Sequence, residues 1–413
     1  MKVCFETFGC RLSRAEALQQ EADYLAAGWE VTKLHSDADL IVIRGCSVTA
    51  RAQAGCERLI AHIARKYPLV KIRVVGCLKS KDPTHHASQT GKAKSFGGKT
   101  LVEPSAEAVG KAVPSRTARA YLKVQDGCNG KCSFCIVPQF RGQSVSVPYT
   151  ELLDKAKRFV DAGYHEIVVT GCNLSLYASE GHRLAELVDA LARVDSSCRV
   201  RVGSIEPGNA ADELVDAMTA NENICRFLHV PVQSGANRIL SDMKRPYLIQ
   251  DVDELVRKAL KAMPKIGIGC DLMVGYPGET DVDFLATKGV IKRLSVSNVH
   301  VFPYSERPGT LAAGLPHAVP ESVRRERAHE LAAVARTARA QLAKGYMGHN
   351  VSIVIESESK KMGWTGEYFA CAITSGRKLD EIRRKSLVKV HVTDVEGDIL
   401  NGVLLDSAPL KKL

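Results

Sequence analysis

The chain has 413 residues, 45% of them hydrophobic, with 57 Lys and Arg against 46 Asp and Glu for a net charge of +11. That balance excludes wholesale disorder, and no apolar run approaches the length of a membrane span. With no apolar h-region behind Met1, a cytoplasmic protein without membrane contact is expected; its 13 cysteines then point to metal or cluster ligation rather than disulfides.

In chain order, Lys2–Thr7, Leu40–Arg44 and Lys71–Val75 read as short buried strands. Ser13–Ala27 and Ala50–Lys66 carry helical apolar spacing between them, which predicts a parallel α/β unit over residues 1–114. The polar stretch Lys79–Lys99 reads as a loop, with a domain boundary near Ser115. From there the alternation lengthens. Strands are predicted at Tyr121–Val124, Glu166–Thr170, Arg199–Ser204, Phe227–Pro231, Ile266–Val274 and Val299–Pro303. Helices are predicted at Thr150–Ala162, Leu184–Val194, Ala210–Thr219, Gln250–Ala262 and Val282–Leu294, with Glu321–Lys344 closing the unit. Six βα units predict a partial (βα)6 barrel over residues 115–344, with functional residues at the C-terminal strand ends. Residues 345–413 carry strand patterns at Asn350–Glu356, Glu367–Ile373, Leu387–Val395 and Asp398–Leu405 with no helix, which predicts a small β-barrel. The fold class is therefore α/β with an appended barrel.

The charge is localised. Residues 51–158 hold a net +13, against −2 for 1–50, −1 for 159–344 and +1 for 345–413. A basic surface of that kind favours a polyanionic partner. In the tail, Arg377-Lys378 and Arg383-Arg384-Lys385, near Trp364, Tyr368 and Phe369, suggest a local RNA face. Ala93–Thr100 fits a relaxed phosphate-loop pattern but lacks the preceding strand and following helix that such a loop needs.

The sharpest motif is Cys128-Asn129-Gly130-Lys131-Cys132-Ser133-Phe134-Cys135, three thiols on one loop after the first barrel strand. Three protein ligands to a four-iron cluster leave one iron open to a substrate, whereas a closed zinc site wants a fourth nearby ligand. Gly9-Cys10, Gly45-Cys46 and Gly76-Cys77 each follow a predicted strand of the N-terminal unit. Ends of adjacent parallel strands converge, so these three are either a second cluster site or buried thiols acting as small hydrophobes.

These motifs resemble the radical S-adenosylmethionine (SAM) methylthiotransferases. The resemblance rests on Thr7–Ser13, Cys46, Val75–Cys77, Gln125–Cys135, Ser204–Pro207, His229–Gly235, Met243–Tyr247, Asp271–Thr280 and His300–Thr310. It implies an auxiliary 4Fe-4S cluster on Cys10, Cys46 and Cys77. It implies a second 4Fe-4S cluster, which binds and cleaves SAM, on Cys128, Cys132 and Cys135. The tail resembles the family's RNA-binding TRAM barrel. Cys10-Arg11, Glu16 and HVFPYSERPGT look most like the MtaB type, which implies addition of a methylthio group to C2 of N6-threonylcarbamoyladenosine at position 37 of tRNA. The sequence departs from the family pattern at Ser13, Cys172 and Gln139-Phe140-Arg141.

The resemblance further implies a tRNA anticodon stem-loop, a one-electron reductant and a sulfur donor as partners. C2 of adenine has no acidic proton, so a SAM-derived carbon radical is the implied reagent. Phe134, Thr170, Asn173, Glu206 and Gln233 are the candidate SAM contacts, and Arg141, Arg245 and Arg307 the candidate contacts to RNA phosphate or to the threonyl carboxylate. Two other readings are methylthiolation of a different target, either isopentenyl-adenosine in tRNA or a ribosomal-protein aspartate, and a zinc-stabilised RNA-binding protein without enzymatic activity.

Overall fold

A computed structural model describes residues 1–78, 104, 112–114, 116–377 and 379–405. The polar stretch 79–99, the phosphate-loop-like 93–100, Ser115, Lys378 and part of the basic excess lie outside the described residues.

The N-terminal unit runs β1 (Lys2–Thr7), α1 (Arg11–Ala26), β2 (Glu30–Thr32), β3 (Leu40–Gly45), α2 (Ala50–Lys66) and β4 (Lys71–Gly76). Its sheet is parallel, in the order β2-β1-β3-β4. β3 is apolar over residues 40–43, which are buried on both faces. Leu40 and Val42 pack with Val3, Tyr24 and Trp29, whereas Ile41 and Ile43 pack with Cys4 and Ile63.

The second unit runs β5 (Ala120–Lys123), β6 (Gln125–Asp126), α3 (Val137–Arg141), β7 (Val145–Ser146), α4 (Tyr149–Asp161), β8 (Glu166–Thr170), β9 (Ala178–Ser179) and β10 (His182–Arg183). It continues with α5 (Leu184–Arg193), β11 (Arg199–Val202), α6 (Asn209–Ala220), β12 (Phe227–Gln233), α7 (Asn237–Asp242) and α8 (Ile249–Ala262). β13 (Gly267–Val274), α9 (Asp281–Arg293), β14 (Val296–Pro303) and α10 (Glu321–Lys344) complete it. β5-β8-β11 and β12-β13-β14 are parallel sheets, joined by single bridges Val200–Ile224 and Ser204–His229. The result is the six-stranded partial barrel that the pattern predicts. Alternate residues such as Ile167, Val200, Val230, Ile268 and Cys270 face the helices and form the main core.

The other face of these strands is polar. Glu166 is fully buried beneath Arg201, Arg199 and Arg119, with Arg201 Nε 2.8 Å from its Oε1. The three guanidinium groups hold its carboxyl well below the usual carboxylate range against the opposing effect of burial.

The tail closes into a barrel of β15 (Asn350–Ser357), β16 (Met362–Thr365), β17 (Ala370–Ser375), β18 (Leu387–Glu396) and β19 (Ile399–Leu404), in the order β15-β16-β17-β19-β18. Its β16–β17 turn plugs the base of the partial barrel. Arg199 donates to the carbonyls of Ser352 and Trp364, and Arg201 to those of Thr365 and Gly366. Tyr368 lies between Phe227 and Trp364, with ring centroids 4.9 Å from each, and beneath Arg11 and Arg201. Of the aromatics expected on an RNA face, Tyr368 is spent on joining units and Phe369 is buried in the barrel's own core, while the half-buried Trp364 stacks on Tyr368. Lys385 and Arg384 dock similarly, Lys385 Nζ lying 3.6 Å from the Tyr164 ring centroid and Arg384 donating to the Arg116 carbonyl. Among the described residues no helix is long and apolar enough to cross a membrane.

Candidate functional site

Cys10, Cys46 and Cys77 sit just past the C-terminal ends of β1, β3 and β4, which are neighbours in the sheet. Glycine makes the approach possible. A Cβ on Gly9, which has φ +113°, would lie 3.4 Å from Cys46 Sγ, and one on Gly76 would lie 2.8 Å from the Gly45 carbonyl oxygen. The Cys77 amide donates to that carbonyl at 3.1 Å. Burial, reinforced by charge on Cys10 and Cys77, pushes the Cys46 thiol up. A cationic centre that accepts thiolates would relieve this.

The second triad is built on a tight loop. Gly127, at φ +67°, admits no side chain: a Cβ there would lie 1.9 Å from the Gln143 carbonyl oxygen. The fully buried Gln125 anchors the loop. Its amide nitrogen donates to the Asp126 and Gly127 carbonyls and to Ser144, and its oxygen accepts from the Cys172 and Asn173 amides. Ser133 fixes the far side through Asp242 and Tyr276. The Gly130 amide lies 3.2 Å from Cys128 Sγ, and a Cβ on Gly130 would crowd that sulfur, also at 3.2 Å. Burial first, then neighbouring thiols, push Cys135 up to about 11.

Each triad fits a multinuclear cluster better than a single ion. Zinc–sulfur bonds of about 2.3 Å would draw the sulfurs to within about 4 Å of one another. Among the described residues, the groups whose ligand atoms converge within 4.8 Å are Cys4/Glu6/His35 and His229/Asp271/His300, and neither cysteine triad is among them. Cys172 is occupied otherwise: its thiol donates to Asp126 at 3.4 Å, and burial pushes it up to about 12.

Of the remaining candidates, Asn173 and Glu206 gather with Arg245 around the Cys128 loop. Asn173 Nδ2 lies 4.0 Å from Cys128 Sγ and 3.2 Å from Glu206 Oε2. Glu206 Oε1 accepts from Arg245 Nη2 at 2.6 Å, and Arg245 Nη1 donates to Cys132 Sγ at 3.0 Å. Thr170 closes β8, its carbonyl accepting from the Val124 amide. Gln233 ends β12 beyond a register shift, at φ +68°. Phe134 packs beside Ile239, Met243, Tyr276 and Tyr304.

The structure gives the three candidate arginines protein partners. Arg141 meets Cys77, Glu16 and Asp126; Arg245 meets Cys132, Glu206 and Tyr247; the buried Arg307 meets Gln53. Sequence reasoning missed two features here: the hub role of Gln125, and the network in which Lys123, Arg44 and Arg141 surround Glu16. The polar strand-face residue Lys123 in an otherwise apolar strand was the available signal.

The chain matches the Radical SAM superfamily over residues 122–290 and Uncharacterized protein family UPF0004 over residues 2–98. It is 32% identical to the threonylcarbamoyladenosine tRNA methylthiotransferase MtaB of Bacillus subtilis, over 89% of each chain. It is 31% identical to the MtaB of Thermotoga maritima over 97% of this chain and 98% of that one. The tRNA-2-methylthio-N(6)-dimethylallyladenosine synthase of Histophilus somni is 30% identical over 97% of this chain and 92% of its own. Among solved structures, the radical SAM methyltransferase TsrM of Kitasatospora setae, with cobalamin and a 4Fe-4S cluster bound, matches the fold with a TM-score of 0.54 at 14% identity, covering 76% of this chain and 74% of that one. With two cysteine triads on two α/β units and relatives similar along nearly their whole length, the chain belongs to the family of radical SAM tRNA methylthiotransferases.

Proposed function

We propose that the chain adds a methylthio group to C2 of N6-threonylcarbamoyladenosine at position 37 of tRNA. The observation that carries this reading is the near-full-length similarity to MtaB proteins, combined with two glycine-lined cysteine triads joined through Arg141. In this reading Cys128, Cys132 and Cys135 hold the SAM-binding 4Fe-4S cluster, and Cys10, Cys46 and Cys77 hold the auxiliary one. With both clusters and SAM bound, the site has a carbon-radical reagent and a sulfur-bearing centre. The protein's own residues position and seal it. Glu206 and Asn173 offer polar groups beside the Cys128 loop for the SAM amino acid moiety, Thr170 and Gln233 do so at strand ends, and Phe134 offers a ring for its adenine. Arg245 and Arg141 each place a guanidinium N–H on a thiol of one triad, which stabilises thiolate charge and orients the loops.

The division into residues 1–114, 115–344 and 345–413 follows from the same reading, as does a TRAM-type role for the last. A one-electron reductant, a sulfur donor and a cytoplasmic location complete it. Nucleoside mass spectrometry of tRNA from a strain lacking the gene tests the reading. Loss of 2-methylthio-N6-threonylcarbamoyladenosine is expected, and its retention, with loss of the methylthio-isopentenyl nucleoside instead, would reverse the substrate assignment.

A further inference from the structure

The acidic arm of the proposed substrate needs a cation, and Arg141, Arg245 and Arg307 are already engaged by the protein. Another cation reaches into the partial barrel towards the Tyr368 plug. Arg11 follows Cys10 and opens α1. Its Nη2 donates to the Tyr368 hydroxyl at 3.2 Å, and its guanidinium lies over the Tyr368 ring at 5.2 Å from the centroid. Among the described residues, that single hydrogen bond is its only one. A guanidinium has five N–H donors in a planar fork, so most of the fork is open. Arg11 is also near enough to His229 to help depress its pKa, behind the larger effects of burial and His300. With Tyr368 stacked on Phe227 at 4.9 Å, it therefore lies beside the start of β12.

On the polar face of β12, β13 and β14 a second device is built. Core-facing residues of β13 and β14 alternate with Asp271 and His300, which are register partners. Asp271 accepts from His229 Nε2 and from His300 Nδ1, both at 3.0 Å. Burial opposes its charge, but these two bonds hold the Asp271 carboxyl well below the usual range, so it is an acceptor only. His229 is buried and His300 is not: the His300 side chain is 44% exposed. With Nδ1 committed to Asp271, His300 has only Nε2 left for a further partner. Phe302, two residues on, is likewise exposed and lies edge-on to the His300 ring. A braced imidazole and a bare aromatic ring form a surface suited to a nucleobase with a polar substituent.

We propose that Arg11, braced by Tyr368, and His300, braced by Asp271, form the pocket that reads the N6 substituent of the target adenosine, Arg11 taking its carboxylate and His300 Nε2 its hydroxyl or amide. This rests on the substrate reading above. Arg11 and His300 are specificity residues, and Arg11 directly follows Cys10, a proposed ligand of the auxiliary cluster.

The test uses the reconstituted holoenzyme as wild type, Arg11→Gln, Arg11→Lys and His300→Gln. Three anticodon stem-loops are titrated by equilibrium binding. One carries N6-threonylcarbamoyladenosine, one carries the same group with its carboxylate converted to carboxamide, and one carries plain adenosine. Wild type should prefer acid over carboxamide by about 10- to 100-fold, the range for a charge-assisted hydrogen bond. Arg11→Gln should erase that preference with iron content per chain unchanged, and Arg11→Lys should restore part of it. His300→Gln should weaken both arm-bearing RNAs and leave plain-adenosine RNA as it was. Retention of the acid preference in Arg11→Gln, or equal weakening of all three RNAs by His300→Gln, would overturn the pocket. Methylthiolation by wild type separates the two failures. Product on the threonylcarbamoyl RNA without acid preference removes the pocket alone, whereas product only on a dimethylallyl RNA removes the substrate reading and the pocket with it.

Discussion

The Nε of Arg141 lies 3.0 Å from the Cys77 sulfur, while its Nη1 and Nη2 hold the two carboxylate oxygens of Glu16. One side chain from the helix after the Cys128 loop thus grips a thiol and a helix of the N-terminal unit. Lys cannot reproduce this fork. Arg141→Lys is expected to keep SAM cleavage near wild type while methylthio product per SAM cleaved falls by about 10-fold or more, the loss expected for charge-assisted hydrogen bonds. Quantifying 5′-deoxyadenosine against methylthio nucleoside checks this. A parallel fall in both would show that Arg141 supports the whole fold instead.

The two triads should also separate by metal content. Anaerobically reconstituted wild type should carry about eight irons per chain, and Cys132→Ala or Cys46→Ala about four. Cys132→Ala should abolish SAM cleavage, while Cys46→Ala should leave cleavage without sulfur transfer. Iron analysis with product quantification on the same samples decides it, and equal loss of both activities in both variants would argue against two distinct roles.

The Cys128 loop depends on one backbone conformation. At Gly127 a side chain meets both a positive φ and the Gln143 carbonyl at 1.9 Å. A left-handed non-glycine residue alone costs roughly 1–2 kcal/mol, and this clash adds to it. Gly127→Ala should therefore bind about four irons in place of eight while keeping its helical circular dichroism. Full iron content would show that the loop can reshape without cost.

Much of this was legible in the sequence because apolar periodicity is strong where an element has one buried face. β1, α2, β8 and α10 have the predicted bounds, and most other helices and barrel strands differ from theirs by a residue or two. The missed elements are short or edge-like: β2 has three residues, β6, β7, β9 and β10 two each, β16 four, one of them Gly363, and the helices α3 and α7 five and six. Such segments bury too little to leave a periodic trace. The cysteine triads were readable since thiols at fixed loop spacing carry chemistry directly. The partners of Arg141, Arg245 and Tyr368 were not. They lie 64 residues away at Cys77, 113 away at Cys132 and 357 away at Arg11, and no local pattern encodes such contacts.

The buried cluster at the barrel base sets the last prediction. Glu166 is fully buried, and three arginines depress its pKa below the unfolded value of about 4.3. A carboxylate with a depressed folded pKa contributes stability that is complete above the unfolded value. That contribution declines as pH falls towards the folded one. Wild type should accordingly lose Tm progressively below about pH 4.3. Glu166→Gln leaves the buried Arg199 and Arg201 without a paired carboxylate, which costs about 3–5 kcal/mol at neutral pH, while Arg119 keeps Glu356 at 2.7 Å. Its Tm should therefore sit well below wild type at pH 7, and the gap should narrow as the pH falls below about 4. Because Arg199 and Arg201 also hold the β16–β17 turn, limited proteolysis at pH 7 should release the C-terminal barrel faster from Glu166→Gln than from wild type. A constant Tm gap across the acid range would show that Glu166 acts through packing and not through its charge.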